Sequence, residues 1–459
     1  MGRPAHRIDH RRGPTGPHQK GTTTLLTAFG RAFKTPDLRK KLLFTLAMIA
    51  IYRLGAHVPT PGVSYSLVQQ CIKNSPTNSG FLGLANLFSG GALLQLSVFA
   101  LGIMPYITAS IIVQLLTVVI PRFETLKKEG QTGQAKMTQY TRYLTIGLAI
   151  LQSATLVTFA QNPGTLWQGC TNIMVDDSLF TIALMVLTMT AGTGLIMWLG
   201  ELMTDKGIGN GMSLLIFTSI ASTFPGALWL IKQQKGWFTF LAIVAMGFVI
   251  IALVVFVEQS TRRIPVQYAK RMVGRQMYGG TSTYIPIKVN MANVIPVIFA
   301  SSLLALPMMV AQFNRNPTGR SAGWVEWIDG HLVRGDHPIY MAIYTLLILF
   351  FTFFYVSITF NPEEVADNMK RYGGFIPGIR AGRPTAEYLQ YVLTRITVVG
   401  AIYLAAVSLI PLIAVAAIGA NQNFPFGGTS IIIIVGVGLE TVKQIEAQLH
   451  QRHYEGFLR

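Results

Sequence analysis

A chain of 459 residues that is 51% hydrophobic and only 12% charged is excluded from the ordinary soluble class, in which about a quarter of residues are charged. Its net charge of +18 would point to nucleic acid in a soluble protein, but a mean hydropathy of +0.45 makes it a membrane protein, whose charge must first be sorted by side. Two cysteines, Cys71 and Cys170, are too few for a disulfide framework and form no metal motif.

Residues 1–41 are polar and basic, unlike a cleavable signal peptide, and 1–21 read as a disordered basic tail. Over 22–34, Leu25, Leu26, Phe29, Ala32 and Phe33 share one side of a helix able to lie on a membrane surface. Ten apolar stretches follow, at 42–58, 98–120, 144–160, 179–199, 208–231, 237–257, 291–311, 338–359, 396–416 and 427–442. Most have the length and freedom from charge of a membrane span. The fold class is therefore an all-α polytopic membrane protein.

One stretch departs from this pattern. Residues 86–116 are apolar and carry no charge, yet Ser89, Gly90 and Gly91 interrupt them early, and Gly102 and Pro105 interrupt them again. Glycine weakens a helix by about 1 kcal/mol relative to alanine. The expected arrangement is a short half-inserted helix ending near Leu96, then a full span over 98–120. Irregular backbone survives at membrane depth only beside protein or a water-filled cavity, so this segment lines something.

Lysine and arginine set the orientation. With both termini inside, 30 of the 37 basic residues fall on the cytoplasmic side. Arg53 lies near the outer end of the first span, where it can snorkel. Cys71 and Cys170 fall outside, where oxidation permits a disulfide. Their placement in separate loops argues against one, because a bridge needs Cα atoms within roughly 7 Å. Two inner loops, 258–289 and 361–388, exceed what a turn requires. Their spaced Gly and Pro and alternating apolar residues read as folded, basic projections.

The chain echoes itself. Met104-Pro-Tyr-Ile-Thr-Ala-Ser110 in the second span resembles Ile295-Pro-Val-Ile-Phe-Ala-Ser301 in the seventh. Gly211-Met-Ser-Leu-Leu-Ile216 in the fifth resembles Gly428-Thr-Ser-Ile-Ile-Ile433 in the tenth. An offset of five spans reverses direction, which marks an inverted repeat with a pathway at the interface of its halves, 22–231 and 232–459. The repeat sets Ile107 at the depth of Ile298, and Ile216 at that of Ile433. Four aliphatic side chains there would form a constriction that holds back water and ions. Gln114 and Asn210 are the polar residues on pathway-lining spans, suited to cross-helix hydrogen bonds or to holding the broken segment.

No phosphate loop, HExxH or GxSxG occurs, so the sequence supplies no enzyme chemistry and needs no cofactor or metal. Two classes remain, a channel and an inverted-repeat secondary transporter of a small solute. Transporters usually place ionisable residues at mid-span for coupling, and the span centres here carry none.

Motifs along nearly the whole chain resemble the SecY family of protein-translocation channels. They include Tyr52-Arg-Leu-Gly-Ala56, Pro59-Thr-Pro-Gly62, Asn86-Leu-Phe-Ser-Gly-Gly-Ala92 and Lys127-Lys-Glu-Gly130. Met197-Trp-Leu-Gly-Glu201, Gly207-Ile-Gly-Asn-Gly211, Asn361-Pro-Glu-Glu-Val-Ala-Asp-Asn368, Pro377-Gly-Ile-Arg380 and Phe426-Gly-Gly-Thr-Ser430 follow in family order. The resemblance implies an hourglass of ten helices in two inverted halves, in the bacterial cytoplasmic membrane. It implies a re-entrant plug over 86–96, starting with Asn86, Leu87, Phe88, Ser89, Gly90, Gly91 and Ala92. The pore ring carries over onto Ile103, Ile107, Met212, Ile216, Ile298 and Ile433. A lateral gate for signal peptides would lie between spans two and three on one side and seven and eight on the other. Arg262, Arg263, Lys270, Arg271, Arg275 and Arg380 would dock the ribosome or the SecA motor ATPase. SecE and SecG would be companion subunits, with nascent chains and membrane lipid as the remaining partners. Two positions depart from the family pattern: Gln95, where many relatives carry Arg, and Gln276, where a second basic residue often follows Arg275.

Overall fold

A computed structural model describes residues 35–74, 86, 88–161, 173–268, 271–273, 276–278, 282–314, 322–332, 337–418 and 428–455. The basic tail 1–21 and the amphipathic stretch 22–34 lie outside the described residues. The helices are α1 (Pro36–Gly55), α2 (Tyr65–Asn74), α3 (Met104–Val119), α4 (Pro121–Lys128), α5 (Gln131–Gln161) and α6 (Leu179–Lys206). They continue with α7 (Gly211–Gln259), α8 (Ile295–Phe313), α9 (Gly323–His331), α10 (Pro338–Thr359), α11 (Pro362–Arg371), α12 (Arg383–Ile418) and α13 (Gly428–Glu455). Each of the ten expected apolar stretches falls on one of these helices. The fifth and sixth are the two arms of α7, parted where Gly236 takes φ 81° and ψ 178°.

Among the described residues, five helices are singly long and apolar enough to cross a membrane, or six if α3 and α4, bent by 100°, count as one broken span. The first arm of α7 and the start of α8 are shorter apolar helices. Helix α1 carries Asp37, Arg39, Lys40, Lys41 and Arg53 near its two ends. Large apolar side chains such as Leu187, Phe238, Phe248 and Phe256 stand exposed along the helices. In water that would be a liability, and in lipid it is the solvent-facing surface.

The largest apolar core draws on α1, α3, α6, α7, α8, α10, α12 and α13. Helix α3 meets α8, and α7 meets α13. These two seams join the helices that carry the repeated motifs.

Between α7 and α8 the chain leaves the bundle as a β-hairpin. Strand β1 (Thr261–Tyr268) pairs antiparallel with β4 (Ser282–Lys288), with Arg262 opposite Ile287 and Arg263 opposite Pro286. Beyond it, β2 (Arg271–Val273) pairs with β3 (Gln276–Tyr278). The second long loop reaches across to the free edge of β1, where β5 (Gly374–Phe375) faces Gln267 and Tyr268. One three-stranded sheet, in the order β4-β1-β5, thus contains both loops. Ile264 and Val266 are buried while Arg263 and Pro265 face out, the period-two pattern of a half-covered strand. Ile264, Val266 and Ile287 pack with Val356 of α10, Met369 of α11, and Leu389 and Leu393 of α12.

Candidate functional site

The six aliphatic residues of the expected constriction belong to one core. Ile103, Ile107, Ile216 and Ile433 are buried in the large cluster, and Met212 and Ile298 pack against it half-buried. Two helical relations arrange them: Ile103 precedes Ile107 by four residues, and Met212 precedes Ile216 by four, so each pair shares a face. Ile107, Met212, Ile216 and Ile298 line a cavity of about 440 Å³ between the halves. Its other wall is charged. Arg142 of α5 makes a two-pronged ion pair with Glu201 of α6, Nε donating to Oε1 at 2.9 Å and Nη2 to Oε2 at 2.7 Å.

Gln114 and Asn210 line the same cavity. Among the described residues, the hydrogen bonds of the Asn210 side chain are local. Its Oδ1 accepts from Met212 N at 3.1 Å and Ser213 N at 3.4 Å, so it caps the start of α7. Asparagine directly before a helical run is a start signal that the sequence already displays.

At the end of α3 remote from the hairpin lies the 86–96 segment. Leu87 is outside the described residues; Asn86 and Phe88 are helical, and from Ser89 to Ile103 the chain runs in turns. Helix α3 therefore starts at Met104, later than the 98 expected from hydropathy. The cause is local competition for the backbone. Asn86 Oδ1 accepts from Leu94 N at 3.3 Å, and Ser89 Oγ accepts from Leu93 N at 3.0 Å. Such short polar side chains offer the backbone an alternative to helical bonding. Gly90 and Gly102 take φ of 68° and 56°, and a Cβ on Gly102 would lie 3.0 Å from the Ser89 Cα. Pro105 then suits the first turn of α3.

A strap from the first loop holds this segment. Thr60 N donates to the Leu96 carbonyl at 3.1 Å, and Val98 N to the Val58 carbonyl at 2.9 Å. The Thr60 hydroxyl also donates to the Leu96 carbonyl. The strap's continuation pairs with the loop before α6, Ser64 N donating to the Ile173 carbonyl and Val175 N to the Gly62 carbonyl, each at 3.0 Å. Cys71 packs in the same small core as Leu93, Leu96, Ile173 and Met174. Cys71 is disulfide-bonded, and the chain's other cysteine, Cys170, lies outside the described residues. The two loops are not apart in space: backbone pairing of Val63 with Met174 brings them together, which allows the bridge that their separation in sequence argues against.

Arg53, Tyr52 and Ser219 also touch the segment's surroundings. Arg53 Nη1 donates to the Gly90 carbonyl at 3.0 Å. Tyr52 is fully buried, stacks on Phe99 at 5.9 Å, and hydrogen-bonds Ser219 Oγ at 2.6 Å. Charge position suggested that Arg53 snorkels; the fold aims it inward.

The basic residues gather at the opposite end. Arg262 and Arg263 are exposed on β1, and the Arg263 guanidinium lies 4.9 Å from the centre of the Tyr284 ring. Arg271 is on β2, while Lys270 and Arg275 lie outside the described residues. Arg380 is exposed on the loop between β5 and α12, its carbonyl accepting from Thr385 Oγ1 at 2.8 Å. Nearby, Lys127 of α4 donates to the Ile358 carbonyl near the C-terminus of α10 at 3.1 Å, a contact between the two halves.

Together the fold and this core define a polytopic helical membrane protein, with an apolar seam between two halves and a turn-rich segment at one end. The SecY family model matches residues 97–442. Protein translocase subunit SecY of Streptomyces scabiei is 67% identical, covering 95% of this chain and all of its own. That of Mycobacterium tuberculosis is 58% identical over the same shares. Among solved structures, a protein-conducting channel superposes with a TM-score of 0.61 at 20% identity, covering 89% of this chain and 91% of its own. The chain belongs to the SecY family, whose members are channel subunits and not enzymes.

Proposed function

We infer that this chain is the central subunit of a protein translocase. It conducts unfolded preproteins across the membrane and releases hydrophobic segments sideways into lipid. The observation that carries the reading is the convergence of six aliphatic side chains, from both halves, in one core beside a cavity. A throat of that kind dewets at rest and so blocks ions. It also grips a passing chain without specific bonds, which suits substrates of varied sequence. Met212 adds an unbranched, adaptable side chain. Residues 86–96 serve as the plug, a second barrier in series.

The orientation follows the excess of Lys and Arg, with the hairpin end and both termini in the cytoplasm. There Arg262, Arg263, Lys270, Arg271, Arg275 and Arg380 offer cationic donors to the ribosome or to a SecA-type motor. A structural neighbour at 18% identity and a TM-score of 0.58 is the Sec61 channel of a canine ribosome–channel complex. SecE and SecG complete the assembly. The contact of α3 with α8 lies where the lateral gate opens.

Changing Ile107, Ile298 and Ile433 together to Asn tests this reading in planar bilayers. The variant should hydrate the throat, raise resting ion conductance and admit proteins with defective signal sequences. A triple variant as tight as the parent removes the ring assignment.

A further inference from the structure

The segment 86–96 is positioned by a charged side chain as well as by the strap. Arg53 occupies the last turn of α1 and is only half-buried. Its Nη1 donates to the Gly90 carbonyl at 3.0 Å, 37 residues along the chain. Its neighbour Tyr52 is wedged between Phe99 and Ser219, so the turn that carries Arg53 is fixed on both sides. Gly90 has no spare room: a Cβ there would lie 2.8 Å from Arg53 Nη1 and 3.2 Å from the Ser219 Cα. Helix α1, helix α7 and the segment therefore close on one another at a single point.

A guanidinium at the end of a membrane helix ordinarily turns to water and headgroups. Here it spends a donor on one backbone carbonyl of an otherwise apolar segment. Hydrogen bonds with an ionised partner are roughly twice as strong as neutral ones. The bond exists only while Gly90 is seated, so it contributes to the closed arrangement and not to the displaced one. A ligand or substrate shifts a two-state equilibrium only through such differential contacts.

We propose that Arg53 is the latch of the plug, a positioning residue whose bond to the Gly90 carbonyl sets how readily the plug leaves its seat. This rests on the plug reading of 86–96. A substrate that opens the channel must break the latch. The latch therefore raises the threshold that separates competent from defective signal sequences.

The test uses the full chain in its purified translocase, in planar bilayers and in a signal-sequence export assay. Arg53→Gln should raise resting openings about tenfold, the factor that 1.4 kcal/mol corresponds to, and should admit defective signal sequences. Arg53→Lys keeps a cationic donor and should lie nearer the parent. Gly90→Ala attacks the same bond from the other side and should mimic Arg53→Gln. In a channel lacking 86–96, Arg53→Gln should add nothing. If the deletion leaks but Arg53→Gln and Gly90→Ala stay tight, the latch is wrong and the plug stands. If Arg53→Gln raises the leak of the channel lacking 86–96 as much as it raises that of the full chain, Arg53 supports the bundle and not the latch. A deletion that changes nothing removes both readings.

Discussion

Gln95, in the segment 86–96, has a buried side-chain oxygen, Oε1, with no hydrogen-bond partner among the described residues. Leaving such a group unpaired costs about 1–3 kcal/mol, and on the proposed plug reading of 86–96 the cost falls on the seated arrangement. Gln95→Leu should therefore seat the plug more firmly and make resting openings rarer in single-channel records; unchanged or more frequent openings would show that the amide is paired in the closed state. At this scale the sequence was only partly legible. Ile107, Ile216, Ile298 and Ile433 could be read because Pro, Gly and Ser recur around them at fixed offsets in both halves. Arg53 could be singled out but not understood, because its partner is a carbonyl 37 residues away and no periodicity encodes that. Asn210 is the opposite case: its Oδ1 bonds locally, to Met212 N and Ser213 N, as its place directly before a helical run signals.

Hydropathy located the helical elements but not their connections. An apolar run cannot reveal that residues 89–103 turn and do not coil, since that outcome depends on the short polar side chains of Asn86 and Ser89 competing for backbone. Nor could two loops about a hundred residues apart announce that they share one sheet. The disulfide at Cys71 belongs to the same class. Once the first strap pairs with Ile173 and Val175, the two outer loops form one element, and the bridge fastens it under the plug. A disulfide that closes a long loop stabilises typically by about 2–4 kcal/mol. Cys71→Ser should lower the thermal midpoint of the purified protein, and reductant should bring the parent down to the variant. Two thiols alkylated without reduction would rule the bridge out.

The molecule as a whole is two halves meeting at the α3–α8 and α7–α13 seams, with a basic sheet at one end and the turn-rich segment 89–103 at the other. The proposed orientation puts the basic sheet in the cytoplasm, on the excess of Lys and Arg. A cysteine placed at Arg262 should react with a membrane-impermeant maleimide only in inside-out vesicles, and one placed at Val175 only in right-side-out cells. The reverse pattern would invert the topology. The shared sheet has a mechanical consequence. Its apolar underside grips α10, α11 and α12 at once, and all three belong to the second half. A force on either loop would therefore load both, and the sheet would behave as a lever arm bolted to one jaw of a clamp. Force applied at the tip arrives as torque on the second half relative to the first. The exposed hydrogen bond from Lys127 to the Ile358 carbonyl is one of the links across the jaws that such a torque would load.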